Sequence, residues 1–185
     1  MLSPMAGYTD SAFRSLCMDN HCGMTYTEVI TARGLVHGSK LSQHMLDKTK
    51  SEKPIAAHIY GSEPEVMAEA ARQIESLNRY DTIDINCGCP VRKIVAKGAG
   101  AALMHKPQTI AEIVKAIRGS VSLPVTVKTR LGPTPDNKNI SEIAQAVQES
   151  GASAIAIHAR FTSAKHSGPA DWDSLAQIKS ELSIP

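Results

Sequence analysis

The sequence predicts an α/β fold, a (β/α)8 TIM barrel of which this chain carries about six strand–helix units. Two observations predict it. Short apolar runs alternate with amphipathic stretches of helical period, the pattern of a parallel sheet covered by helices. Polar residues able to do chemistry stand at the C-terminal ends of successive runs: Asn86 and Cys89, then Lys128 and Arg130, then His158 and Arg160. In a barrel those ends converge on one face. An open doubly wound sheet would concentrate such residues at one switch point instead.

The elements follow in order. Residues 2–6 are the first candidate strand, and Asp10 is placed to cap a helix reaching about Asn20. Residues 25–29 read as the second strand and 55–59, closed by Gly61, as the third. Pro64 opens a helix whose Val66, Ala70, Ile74 and Leu77 share one face. The fourth strand is 82–86. Ile110, Ile113, Val114 and Ile117 give helical period to 107–117, and 125–128 is the fifth strand. Ile140, Ala144 and Val147 fit a helix stopped by Gly151. The sixth strand is 154–158, a helix over 172–182 follows, and Ser183, Ile184 and Pro185 read as the lead-in to a further strand. A closed barrel needs eight strands. The expectation is a partial barrel domain over 1–185, cut from a longer chain, because a genuine six-unit half-barrel would leave its last strand as an exposed edge.

Composition narrows the function classes. Hydrophobic residues at 42% and charged ones at 21% are ordinary for a globular domain. A net charge of +2 does not by itself indicate nucleic-acid binding, so any basic surface must come from local clustering. Aromatic content of 4% speaks against broad base stacking on a sheet face. The four cysteines do not pair convincingly, and no signal peptide or apolar run of membrane-spanning length appears. Reduced thiols in a cytoplasmic protein is the resulting expectation.

The chemistry concentrates around Asp84-Ile85-Asn86-Cys87-Gly88-Cys89-Pro90. A strand ends there in a glycine-containing turn, and a stretch without acidic residues follows from Ile85 to Ala111, carrying Arg92, Lys93, Lys97 and Lys106. Cys89, between Gly88 and Pro90, is either a packed thiol or an accessible acid or nucleophile. A zinc site on Cys87 and Cys89 is disfavoured, because one intervening residue is shorter than knuckle spacing; no metal is expected. Lys128 and Arg130 fall on one side of their strand if it continues. Two cations on an inner barrel face need an anionic or electron-rich partner, and His158 with Arg160 repeats the arrangement. Pro4, Met5, Ala6 and Gly7 permit close backbone approach to a flat ligand, or form an ordinary strand-to-helix turn. Arg92, Lys93 and Lys97, with Gly98-Ala99-Gly100, are a solvated loop or a phosphate-contacting one. His37, His44, His105 and His166 show no ligand spacing and read as surface residues.

Taken together, P-M-A-G-Y-T-D at 4–10, I-D-I-N-C-G-C-P at 83–90, K-x-x-x-x-G-A-G at 93–100, K-T-R at 128–130 and H-A-R at 158–160 resemble the tRNA-dihydrouridine synthase family over nearly the whole chain. The resemblance implies an FMN-dependent barrel followed by a small helical domain that helps hold tRNA. It implies reduction of the C5=C6 bond of a tRNA uridine, with NADPH reloading the flavin. By the same resemblance Cys89 donates a proton, Asn86 and Arg130 hold the uracil, and Pro4, Met5 and Ala6 pack beside the flavin. Lys128 and His158 would bond to the cofactor. Position 58, usually a flavin-contacting glutamine in the family, is His58 here, and the resemblance implies that it too contacts the cofactor. The family binds the FMN phosphate after strands seven and eight, so this chain alone is expected to bind FMN weakly and to show little or no activity. Two other readings remain open: a dihydroorotate or dihydropyrimidine dehydrogenase-like flavoprotein, and a non-catalytic tRNA-binding barrel.

Overall fold

The structure, a computed structural model, describes all residues from Met1 to Pro185. Its strands are β1 (Thr25–Tyr26), β2 (Ile30–Thr31), β3 (Ile55–Tyr60), β4 (Thr82–Asn86), β5 (Val125–Arg130) and β6 (Ala154–His158). They form one parallel sheet in the order β1-β3-β4-β5-β6, with β2 also paired to β3. Neighbours in the sheet follow chain order, so no switch point exists. The sheet curls as an incomplete barrel, and the open doubly wound alternative is excluded.

Two faces of the sheet have opposite chemistry because side chains alternate along each strand. Ile55, Ala57 and Ile59, Ile83, Ile85 and Cys87, and Val125 and Val127 join the hydrophobic core. This outer face is covered by α4 (Pro64–Ser76), α6 (Pro107–Arg118) and α7 (Ile140–Glu149), packed side by side. Met67, Ile74, Ile110, Ile113, Val114, Ile143 and Val147 complete the core from the helices. Their 3–4 residue spacing puts each set on one stripe. The inner face carries His58, Asp84, Asn86, Thr126, Lys128, Arg130 and His158 instead. The core therefore lies between sheet and helices, and the barrel interior is polar.

Several expected elements form as read. Asp10 caps α1 (Ser11–Asp19) by accepting from the Phe13 N–H at 2.8 Å. Pro107 opens α6, and Gly151, at φ +87°, follows α7. Helix α8 (Trp172–Glu181) closes the chain, and Pro185 O accepts from Ile155 N–H on the outer edge of β6 at 3.0 Å. The tail thus runs where a strand after β6 would begin.

Two expectations are corrected. Residues 2–6 are not a strand. Pro4 has no N–H to donate, and Met5 turns its backbone onto Thr9: its N–H donates to Thr9 Oγ1 at 3.0 Å and its carbonyl accepts from Thr9 N–H at 3.0 Å. Only Leu2 N–H reaches across, to Met24 O at 2.9 Å. The expected second strand, 25–29, stops at Tyr26, where Thr27 Oγ1 takes the His58 N–H at 2.9 Å in place of a ladder carbonyl, and pairing resumes only in β2, beyond the expected range. Four short helical turns carry too little periodicity to be read: α2 (Ala32–Val36), α3 (Lys40–His44), α5 (Arg92–Val95) and a 3-10 turn over Gly100–His105.

A buried ion pair clamps the N-terminal segment. Arg14 and Glu52 are 1% and 0% exposed. Glu52 accepts from Arg14 Nε (2.5 Å), Ser11 Oγ (2.5 Å) and Thr49 N–H (2.6 Å), while Arg14 also donates to the carbonyls of Thr9 and Asp47.

Candidate active site

The C-terminal ends of the strands open into a cleft of about 560 Å³, within the roughly 300–1,000 Å³ range of small-molecule sites. Pro4, Met5 and Ala6 form one wall, and His58, Asn86, Cys89, Lys128, Arg130 and His158 line the rest. Strand register explains the convergence. His58, Asp84 and Thr126 are partners across β3, β4 and β5; Asn86 and Lys128 are partners one pleat further on, and Arg130 and His158 pair beyond them. Each level faces the same interior. Strand β5 runs on to Arg130, so Lys128 and Arg130 do share a side.

The turn after β4 separates two thiols. Cys87 is fully buried against the helices, and that burial pushes its pKa up, keeping it protonated. Cys89 is half-buried in the cleft wall. Asn86 Oδ1 accepts from the Gly88 and Cys89 N–H groups at 3.2 and 3.0 Å, capping the turn. Glycine is required nearby: a Cβ on Gly100, at φ +61°, would stand 2.8 Å from Cys89 O and from Ile94 Cγ2. The amides of Gly98, Ala99 and Ala101 bond back to Val95, Ile94 and Cys89 carbonyls. They brace the turn and are not turned outward for a phosphate.

Electrostatics in the cleft are positive. Burial pushes the Lys128 pKa down, and Arg130 adds to the shift; Asp84 opposes it. Arg130 is 3% exposed and ties two loops together, donating Nε to Gly88 O at 2.9 Å and Nη1 to Lys165 O at 2.6 Å and Phe161 O at 3.4 Å. Its Nη2 group keeps its donors. Burial, then Arg130, Lys128 and Arg160, push the His158 pKa down to about 4. The ring is neutral at pH 7, and its Nε2 accepts from Arg160 Nη1 at 3.0 Å.

His58 sits in the wall at 2% exposure with both nitrogens engaged: Nδ1 pairs with Asp84 Oδ2 at 2.5 Å and Nε2 with Asn86 Nδ2 at 3.0 Å. Arg92 and Lys93 lie outside the cleft, exposed on α5 at its rim. Lys97 lines a separate pocket of about 280 Å³, with Nζ 5.9 Å from the Tyr60 ring centroid. Sequence reading missed His166, which lines the cleft 5.7 Å from the His158 ring and is not merely a surface residue. It also missed Glu28, whose carboxylate accepts the Gly7 N–H and ties down the segment bearing Pro4 to Ala6. Neither had a spacing signal, since both act through loops. No group of three or more His, Cys, Asp or Glu side chains is placed to hold a metal, and no helix is long and apolar enough to cross a membrane.

An incomplete parallel barrel with a thiol, a flat apolar wall and converging cations at its strand ends defines the class: a barrel with its site at the C-terminal face. The model of the family described as Dihydrouridine synthase (Dus) matches residues 1–185, and the chain belongs to that family. It is 39% identical over 185 residues to "tRNA-dihydrouridine synthase B" of Vibrio cholerae and 41% identical over 186 residues to the protein of that name from Vibrio parahaemolyticus. It is 39% identical over 181 residues to a "Probable tRNA-dihydrouridine synthase" of Treponema pallidum. All or nearly all of the chain is covered in each case, and it spans 57%, 57% and 53% of those relatives' lengths.

Proposed function

We propose that this chain is the partial catalytic barrel domain of a tRNA-dihydrouridine synthase, a flavin-dependent oxidoreductase that reduces a uridine of tRNA with NADPH as the electron source. The observation that carries the reading is the meeting of Cys89, Lys128, Arg130 and neutral His158 beside the Pro4–Met5–Ala6 wall in one cleft. The residues present fit the ring of FMN: an apolar wall for its face, and Lys128, whose amine has no hydrogen-bond partner in the protein, with His158 for its polar edge. When bound, that cofactor supplies hydride to C6 of the uracil. The chain's own residues do the rest. Cys89 delivers a proton to C5 as general acid, for which a neutral thiol is the useful form. Lys128 and Arg130 stabilise negative charge developing on the ring. Asn86, with one Nδ2 hydrogen left after bonding to His58, and Arg130, through Nη2, hold the uracil edge. Arg92, Lys93 and Lys97 lie on the route of the RNA backbone. The uridine leaves its stack to enter the cleft. The expectation of weak cofactor binding by the 185-residue chain alone rests on the resemblance, which puts the phosphate site after strands seven and eight. A cytoplasmic location goes with the tRNA substrate.

The test uses the complete gene product. It is loaded with FMN, reduced anaerobically with NADPH, and mixed with unmodified tRNA while flavin absorbance is followed. Reoxidation by tRNA is expected, and reoxidation by orotate or a free pyrimidine alone would move the protein to the dehydrogenase reading. Cys89→Ala should slow reoxidation by about 10²–10⁴-fold and leave RNA affinity intact. Unaltered turnover in that variant would remove Cys89 from the reaction.

A further inference from the structure

A continuous chain of hydrogen bonds crosses the inner face from β5 to the Cys89 turn. Thr126 Oγ1 donates to Asp84 Oδ1 at 2.5 Å, and Asp84 Oδ2 accepts from His58 Nδ1 at 2.5 Å. His58 Nε2 meets Asn86 Nδ2 at 3.0 Å, and Asn86 Oδ1 caps the Gly88 and Cys89 amides. Directions along the chain are dictated. Asn86 Oδ1 receives two backbone N–H groups, so the atom facing His58 is the amino nitrogen, which only donates. His58 Nε2 therefore accepts, and the ring proton is on Nδ1, which donates to Asp84. Asp84 is in turn oriented by Thr126. His58 and Asp84 are 2% and 0% exposed, so the chain is insulated from competing water, and Tyr26 packs edge-on against the His58 ring at 6.5 Å.

We propose that His58 is a positioning residue for Cys89: held in one tautomer by Asp84, it locks the Asn86 amide so that its carbonyl sets the turn presenting the thiol. This rests on Cys89 being the acid of the proposed reaction. It also gives His58 a task other than contact with a flavin, since neither ring nitrogen is left over for one. Outer partners that orient a metal-bound imidazole are commonly worth about 10–100-fold in activity, and a loss of that size is expected here for a residue that orients another by hydrogen bonding.

The experiment has two arms on the complete gene product. In the first, ¹⁵N NMR of His58 is expected to show Nδ1 protonated and Nε2 bare; the opposite tautomer overturns the proposal. His58→Leu should shift the Gly88 and Cys89 amide resonances, and unmoved resonances overturn it as well. This arm needs no activity, so it decides the inference even if tRNA is not the substrate. In the second arm, His58→Leu should slow flavin reoxidation by tRNA about 10–100-fold with RNA and FMN affinities unchanged. His58→Gln, whose amide can donate to Asp84 through Nε2 and accept from Asn86 through Oε1, should recover most of the rate and covers the case in which the Leu variant misfolds. Weakened FMN affinity with an unchanged rate would make His58 a cofactor contact instead.

Discussion

His158 shows how the residues of one cleft set each other's charge. Its imidazole is pushed down to about 4 by burial and then by Arg130, Lys128 and Arg160. An unfolded histidine takes its proton near 6.5, so the folded state loses ground as pH falls from that value toward about 4 and is unaffected above it. An NMR titration of the ring should place its midpoint at about 4, and Arg160→Ala should move it upward. A midpoint near 6.5 would show that the cations do not act on the ring. Cys89, Lys128 and His158 were legible in the sequence because each stands at or just past a strand end. What could not be read was how donors are spent: Arg130 gives three of its hydrogen bonds to loop carbonyls far away in sequence.

At the scale of elements, the apolar runs identified β3 to β6 and the apolar period identified α4, α6 and α7, because burial on one face imposes it. Residues 2–6 misled, since an apolar run with a proline looks like an edge strand until Thr9 claims the Met5 backbone. The Gly98–Gly100 stretch was legible as special but not as to why: its role is contact with the Cys89 turn, which needs three dimensions to see. That contact predicts a difference between two glycines of similar backbone. Gly151→Ala meets open space at φ +87° and costs only conformational strain, about 1–2 kcal/mol. Gly100→Ala adds a collision with Cys89 O and Ile94 at 2.8 Å and should lower the melting temperature clearly more. Equal losses would mean that the turn yields freely.

For the molecule as a whole, the Arg14–Glu52 pair joins α1 to the loop before β3. Burial opposes ionisation of Glu52, but hydrogen bonds from Ser11, Thr49 and Arg14, and the Arg14 charge, hold its pKa below the ordinary 4.5. Its contribution to stability is present above that value and is lost as pH falls through the lowered one. Breaking the pair with Arg14→Leu should destabilise the fold by about 3–5 kcal/mol and remove part of its acid sensitivity; a denaturant series from neutral pH to below 4.5 checks both, and a loss under about 1 kcal/mol would show the clamp to be peripheral. The turn after β4 has a last consequence. Residues 87 and 89 straddle one glycine, yet one thiol belongs to the helix-covered core and the other to the cleft. In a background lacking Cys17 and Cys22, a pulse of thiol reagent would mark position 89 in the native ensemble and position 87 only when β4 comes away from its helices. The chain thus carries a built-in clock for global opening, with its own internal reference two residues away.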